Sequence, residues 1–329
     1  MQAKKLPQIT VMNAALCLFV VLIHLTFAPL SELIPKSVPH ILIFAVNKVL
    51  GFCVPAFIFL SGFKLFKSYE ERPLNIRQFF DRRFKKIVIP YFFAVLIYIF
   101  YFGAKGWLED GFFKMLILGT VSAHFYYIVV LVQLYLLFPL IFQFFERHSR
   151  TILGASLLIT LFCVIFLQDG YWDRFFGTYI FYFVLGMFWA KYDLYAGLKE
   201  KLSKICVAYV LILIFHIFRL YELEYAGQKY ELFPIVNMIY ITLAIILLYA
   251  VSEEFLRYSK KVIRLSGLLG RCSYSIYLYH LLFIYVFRYD ILPHCNLSVK
   301  GEFFVTTAAV YAIIAGYCLI IHFSGRKRV

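Results

Sequence analysis

The feature that most constrains this chain is a series of long apolar runs with almost no charge inside them. A bilayer core about 30 Å thick requires about 20 apolar residues per helix, and windows of that length recur along the sequence. Runs such as LLFIYVF and LAIILLY are apolar on every side, whereas the strands of a membrane barrel alternate apolar and polar residues. The sequence therefore predicts an all-α, polytopic membrane protein.

Ten windows are long enough to predict transmembrane helices. They cover residues 9–28, 41–63, 87–104, 123–145, 152–168, 175–190, 203–219, 233–251, 272–292 and 303–323. The loops between them are too short for a soluble domain, and no repeat or low-complexity segment divides the chain. We therefore expect one membrane domain over residues 1–329 with no appended soluble domain.

The basic residues predict how the helices are oriented. The formal net charge is +15, and 24 of the 33 Lys and Arg lie in six segments that ten helices would place on one side. These segments are the amino terminus and residues 64–86, 146–150, 191–204, 252–271 and 324–329. By the positive-inside rule both termini are cytoplasmic, so the charge is a topology signal and no nucleic-acid partner is expected.

Other local features complete this outline. Lys4 and Lys5 precede an apolar run longer than a signal-peptide core, so the first helix is expected to be retained. The seven cysteines form no CxxC pair or metal-ligand spacing, which predicts small packing residues and no metal site. Residues 64–86 predict an interfacial helix with Phe80 and Phe84 on one face, and the outer segments 107–116 and 219–233 are typical of a membrane interface.

His24 is an ionisable residue deep within the first apolar run. Fifteen residues beyond Ile9, it lies about 22 Å from the cytoplasmic face. Such residues are costly in a bilayer and usually face the protein interior, where they either join helices or serve function. Burial disfavours the charged form, and a neutral imidazole can act as a general base towards a hydroxyl.

Four further stretches have both a structural and a functional interpretation. Pro55 and Ser61 in the second helix predict a kink with close packing at Gly62, or part of a substrate channel. A basic cluster enters the third helix and suits either anionic lipid or a phosphate-rich ligand. The fourth helix opens with an aromatic stretch that either anchors the interface or contacts an acceptor. A late polar stripe predicts either a helix-joining network or a site. The cluster is Arg82, Arg83, Lys85 and Lys86, the aromatic stretch contains His124 and Tyr126, and the stripe is Ser273, Tyr277 and His280.

Taken together, five stretches resemble the acyltransferase 3 family of bacterial membrane O-acyltransferases. They are VVLIH, VPAFIFLSGF, RRFKKIVIPY, HFYYIVVLVQLYLLFP and LGRCSYSIYLYH, in that order. The resemblance implies about ten helices and transfer of an acyl group, commonly acetyl from acetyl-CoA, to a hydroxyl of a surface polysaccharide, peptidoglycan or lipid-linked glycan. It implies that His24 is the catalytic histidine and that Arg83 and Lys86 are the basic pair at the CoA donor.

The chain departs from this pattern at three positions. Asn13 stands where the family usually has an arginine eleven residues before the histidine, Lys86 replaces the second arginine of the basic pair, and Tyr126 replaces a frequent tryptophan. Lysine keeps the charge and gives up bidentate pairing.

The preferred interpretation is an O-acyltransferase in a bacterial cell membrane, with acyl-CoA as donor substrate and a glycan and membrane lipid as partners. His24 would act as general base or as transient acyl acceptor, with Tyr277 or Ser61 stabilising the oxyanion. A glycan exporter without acyl transfer is the alternative, followed by a purely structural membrane subunit. The oligomeric state stays open.

Overall fold

The computed structural model describes residues 6–167, 170–227, 233–258 and 260–326, and within them it contains helices and turns without any strand. The all-α prediction is confirmed. The α-helices are α1 (Pro7–Leu25), α2 (Phe27–Glu32), α3 (Val38–Val49), α4 (Cys53–Tyr69), α5 (Ile76–Arg83), α6 (Ile89–Ala104), α7 (Phe112–Leu118), α8 (Tyr126–Phe166), α9 (Ile180–Tyr192), α10 (Leu194–Leu198), α11 (Leu202–Ala226), α12 (Phe233–Tyr258), α13 (Lys260–Val286) and α14 (Val299–Arg326). Two π-helical turns, Phe84–Val88 and Phe287–Ile291, lead into α6 and extend α13.

Seven stretches of the described chain are long and apolar enough to cross a membrane. They are Pro7–Glu32, Val38–Tyr69, Ile76–Ala104, Ala123–Phe166, Leu194–Tyr225, Phe233–Phe255 and Val299–Ser324, and Ile180–Tyr192 is a shorter apolar helix. The protein is therefore a multi-pass membrane protein. The predicted count of ten is not confirmed. The fourth and fifth windows form the single stretch Ala123–Phe166, the sixth is only the short helix Ile180–Tyr192, and the ninth, in α13 and the turns after it, is not among the seven.

The long helix α8 is bent where the sequence predicts a basic link between two spans. His148 has non-helical backbone angles and divides the helix into two arms. Gln133 in the first arm donates to the carbonyl of Arg174, and Thr160 in the second donates to the carbonyl of Gly177, each at 2.8 Å. In a straight helix Gln133 and Thr160 would stand about 40 Å apart. Their bonding partners, Arg174 and Gly177, are only three residues apart in the chain. The two arms of α8 must therefore fold back on each other.

Residue contacts divide the chain into two compact units, each of which is described by itself. The first unit holds the residues before Val54 and after Leu198, and the second is Val54–Leu198. In the first unit, α1 packs along α13 and also contacts α12. Tyr240 of α12 donates to the carbonyls of Val49 at 2.6 Å and Lys48 at 3.3 Å, which satisfies the carboxyl end of α3.

In the second unit, α4 and α9 approach each other backbone to backbone at two glycines. A Cβ atom on Gly62 would lie 2.0 Å from the carbonyl oxygen of Phe183, and one on Gly186 would lie 2.0 Å from that of Phe59. Small residues permit such close helix packing in membranes. The predicted close packing at Gly62 is confirmed, and Gly186 is its partner in α9.

The interruption of the second predicted span lies elsewhere than predicted. The helix breaks at residues 50–52, and Pro55 is the third residue of the new helix α4. The prediction that Pro55 sits inside a continuous helix is therefore wrong. Backbone N–H groups in the first turn of a helix have no intrahelical acceptor, so a proline, which lacks the N–H, loses no hydrogen bond there. Pro55 therefore lies in the first turn of α4 and does not kink the helix.

The helix α5 covers part of the segment that the sequence predicts to be an interfacial helix. Asn75 caps it by accepting from the backbone N–H of Gln78 at 2.9 Å. Phe79 is 1% exposed and packs on Tyr69 and Phe138, whereas Phe84 lies exposed in the π-helical turn. Phe79 thus faces the protein interior, and the interfacial role of Phe80 and Phe84 stays a prediction.

Candidate functional site

The two histidines singled out from the sequence meet in the first unit. His24 lies at the carboxyl end of α1, and its ring centroid is 5.1 Å from that of His280 in α13. His280 is 1% exposed, and His24 also contacts the ring of Phe27 at 5.6 Å. The sequence did not predict whether these two histidines are in contact. They meet because α1 packs along α13.

The contacts of His280 indicate which of its nitrogens carries the proton. Nδ1 lies 3.0 Å from the carbonyl oxygen of Ile276 and 2.8 Å from that of Tyr277. Carbonyl oxygens only accept, so Nδ1–H is the donor and the neutral ring has its lone pair on Nε2. The helix backbone therefore selects one tautomer of His280.

Ser273, another residue of the predicted polar stripe, also contacts α1. The Nδ2 amide of Asn13 donates to Ser273 Oγ at 3.1 Å, and Ser273 Oγ donates to the carbonyl of Gly270 at 3.0 Å. The Tyr277 ring lies 6.0 Å from that of His280. The site where the family usually has an arginine is thus occupied here by an amide that links α1 to α13.

A small cavity near the carboxyl ends of α1 and α13 is lined in part by charged residues that were not predicted from the sequence. It has a volume of about 20 Å³, and its walls include Leu25, Ile284, Glu32, Arg288 and Glu302. Arg288 forms an ion pair with Glu32. The volume suffices for one water molecule. Arg288 lies eight residues after His280, and residues with this spacing lie near the same face of a helix. This spacing is the sequence signal that could have identified Arg288.

In the second unit, the four cations of the predicted basic cluster differ in their surroundings. Lys85 is already paired with Asp81 at 3.0 Å, and both side chains are exposed. The Arg83 guanidinium lies between two rings, 5.3 Å from the centroid of Phe79 and 5.1 Å from that of Tyr135. Its buried Nε has no hydrogen-bond partner among the described residues. Arg82 and Lys86 are exposed. Arg83 is therefore the cation best prepared to bind an anion.

The π-helical turn Phe84–Val88 follows Arg83 directly. A π turn widens the helix by one residue and is frequent at functional sites. It alters the relative direction of Arg83 and Lys86, which an ordinary α-helix would place on one face. Arg83 and Lys86, which the sequence suggests as a pair, therefore lie in different surroundings: Arg83 is partly buried and Lys86 is exposed.

The other support residues predicted in the second unit are held by contacts within it. Ser61 Oγ donates to the carbonyl of Phe57 at 3.0 Å, one turn earlier in its own helix. His124 is 2% exposed, lies 3.0 Å from Ser122 Oγ through Nδ1, and packs on Phe125. The ring of Tyr126 lies 6.4 Å from that of Tyr179. These contacts favour packing and anchoring as the roles of Ser61 and His124.

No group of three or more metal-ligating side chains is found in the part of the chain that the structure describes. All seven cysteines are free thiols, and five of them are buried.

A comparison with protein families decides the class of this protein. The family model of the acyltransferase 3 group, described as an acyltransferase domain, matches residues 6–324. The chain belongs to the acyltransferase 3 family. No curated protein and no solved structure is significantly similar to the chain. The protein is thus a membrane acyltransferase, and the match extends over both contact units.

Proposed function

We propose that this acyltransferase moves an acyl group, with acetyl as the first candidate, from cytoplasmic acyl-CoA to a hydroxyl of a cell-surface or lipid-linked glycan in a bacterial cell membrane. The observation that carries the proposal is the contact of His24 with His280 within the first unit, 5.1 Å between ring centroids. Ionisable side chains in a membrane interior are costly, so the presence of two in contact indicates a functional role.

His24 is the residue that we assign to the reaction. In one route its neutral ring removes the proton of the glycan hydroxyl, the oxygen attacks the thioester carbonyl, and the thiolate of CoA leaves and takes up that proton. In the other route His24 attacks the thioester carbonyl, and the CoA thiolate leaves and takes up the proton that the acylated ring releases. The hydroxyl then attacks the acyl carbon and displaces the ring, which takes up the hydroxyl proton. Both routes exchange a thioester for an ester and release CoA.

Tyr277 is the better candidate for stabilising the oxyanion. Its ring lies beside His280, within the unit that holds His24. Ser61 is engaged with a carbonyl of its own helix, which occupies its hydroxyl proton. A hydrogen-bond donor near the developing oxyanion stabilises the transition state.

Arg83 is the residue that we assign to the phosphates of the donor. Its ring contacts hold the guanidinium in place, and its Nε is available for a phosphate oxygen. Arginine pairs with phosphate in a bidentate manner, which a lysine cannot do. Arg82 and Lys86 add positive charge, whereas Lys85 contributes less because Asp81 already neutralises it.

The test is His24→Ala in purified protein supplied with acetyl-CoA and a glycan extract. We expect acceptor-dependent release of CoA from the wild type and none above background from the variant. His216→Ala is the matched control, since His216 is also a buried membrane histidine of the first unit, stacked on the ring of Tyr240 at 4.3 Å. The control should keep transfer. Full activity of His24→Ala contradicts the role of His24, and glycan movement without CoA release supports an exporter instead.

A further inference from the structure

A second cavity in the first unit has no part in the reaction described so far. It lies between α13 and α14 and has a volume of about 370 Å³, within the range of small-molecule sites. Its walls include Tyr279, His280 and Phe283 on one helix and Ile313, Gly316 and Ile320 on the other. We call it the α13–α14 groove.

The chemistry of the α13–α14 groove selects an uncharged hydrocarbon. Within the described chain, none of the residues that line it is charged at neutral pH, and its polar atoms are limited to His280 and three hydroxyl side chains. Burial of hydrocarbon in such a groove is favourable, whereas a phosphate would lose its hydration without a cation to replace it.

The lining of the groove indicates what the hydrocarbon is attached to. His280 forms part of the wall, and its ring is 5.1 Å from that of His24. A hydrocarbon chain that begins beside His280 is bonded directly to a carbon close to His24, the residue assigned to the reaction. In a lipid-linked glycan, by contrast, sugar and phosphate separate the lipid from the reacting hydroxyl, and no charged residue of the groove would hold them. The acyl chain of the donor meets both conditions.

We propose that the α13–α14 groove binds the hydrocarbon chain of the acyl donor, so that this enzyme accepts acyl groups longer than acetyl. The inference rests on the proposed function, because it assigns His24 to the acyl carbon.

The test compares transfer from octanoyl-CoA and from acetyl-CoA. Gly316 lines the groove, and a Cβ atom there would meet no atom within 4 Å, so Gly316→Leu adds a side chain at the groove wall without a clash at its Cβ atom. Ala315→Leu is the matched control, since Ala315 is the preceding residue of α14, is exposed and does not line the groove. We expect the wild type to use octanoyl-CoA, and the octanoyl-to-acetyl rate ratio to fall at least tenfold in Gly316→Leu alone. A wild type restricted to acetyl, or a ratio unaffected by Gly316→Leu, overturns the proposal.

A second measurement separates this proposal from the proposed function. An octanoyl-CoA analogue with a photoreactive diazirine at the end of the chain should label α13 and α14. Octanoyl-CoA should compete with this labelling, phospholipid should not, and Gly316→Leu should reduce it. If no donor is transferred but this pattern holds, the groove stands and the reaction assignment fails. Labelling that phospholipid displaces, or that is equal in both leucine variants, shows a groove that holds membrane lipid only.

Discussion

At the scale of single residues, this acyltransferase gives chemically similar side chains very different surroundings. Arg83 and Lys85 are two residues apart in the basic cluster, yet Arg83 lies between two aromatic rings and Lys85 pairs with Asp81. An exposed ion pair adds little stability, but it lowers the positive charge available to a ligand. A guanidinium held between rings has fewer conformations to lose on binding. Arg83 should therefore dominate recognition of a phosphate.

Arg83→Gln should raise the KM for acyl-CoA about tenfold or more, with a smaller effect on kcat, because it removes one charge-assisted contact worth roughly 1.5–3 kcal/mol. Initial rates over a range of acyl-CoA concentrations provide the measurement. Lys85→Gln is the matched control and should change KM less than threefold. Equal effects of the two variants would mean that the cluster acts only through its total charge.

At the scale of the elements, the second unit depends on how closely α4 and α9 approach each other. At Gly62 and at Gly186, a carbonyl oxygen of the facing helix occupies the space that the methyl group of an alanine would need. Hydrophobic burial does not drive helices together in lipid, so close van der Waals contact has to do so. This crossing should thus be sensitive to a single added carbon.

Gly62→Ala and Gly186→Ala should each lower the free energy of unfolding by about 1–3 kcal/mol, the usual cost of overpacking. Unfolding in detergent followed by circular dichroism measures this change. Gly154→Ala serves as control, because a Cβ atom there meets no atom within 4 Å and alanine is the better helix former. Stability equal to that of the wild type in both test variants would show that the two helices can separate without cost.

At the scale of the whole molecule, the distribution of charge sets the expected orientation in the membrane. Of the 33 Lys and Arg, 24 lie in six segments. Two predicted membrane crossings separate each of these segments from the next, so all six would lie on the same side of the membrane. The bend of α8 at His148 falls in one of these segments, between Arg147 and Arg150. A bend at a basic link is what two successive membrane crossings require.

Both termini should therefore lie in the cytoplasm. Expressed in a Gram-negative host, a carboxy-terminal fusion to green fluorescent protein should fluoresce, and the same fusion to alkaline phosphatase should be inactive. A fusion pair placed after Lys105, in the second outer loop of the predicted topology, is the matched control and should give the opposite result. Active phosphatase at the carboxyl terminus would contradict the orientation.

Much of the fold and part of the site could be predicted from the sequence. The helical class follows from apolar length, and His24 was recognisable because an ionisable residue interrupts an apolar run. The burial of Phe79 was not predicted, and the helix break was misplaced at Pro55, because both depend on neighbours that lie outside the local segment. Arg288 and Glu32 were missed since their ion pair joins distant parts of the chain.

The sequence by itself determined that this protein is helical, spans a membrane and carries an acyltransferase pattern. The bilayer demands apolar length and a backbone that satisfies its own hydrogen bonds, and both are local properties of each segment. Only the tertiary structure decided that His24 meets His280, that Asn13 bonds to Ser273 and that Arg83 lies between two rings. Which side chains meet depends on the rotation and the neighbours of each helix, and packing across the fold sets these.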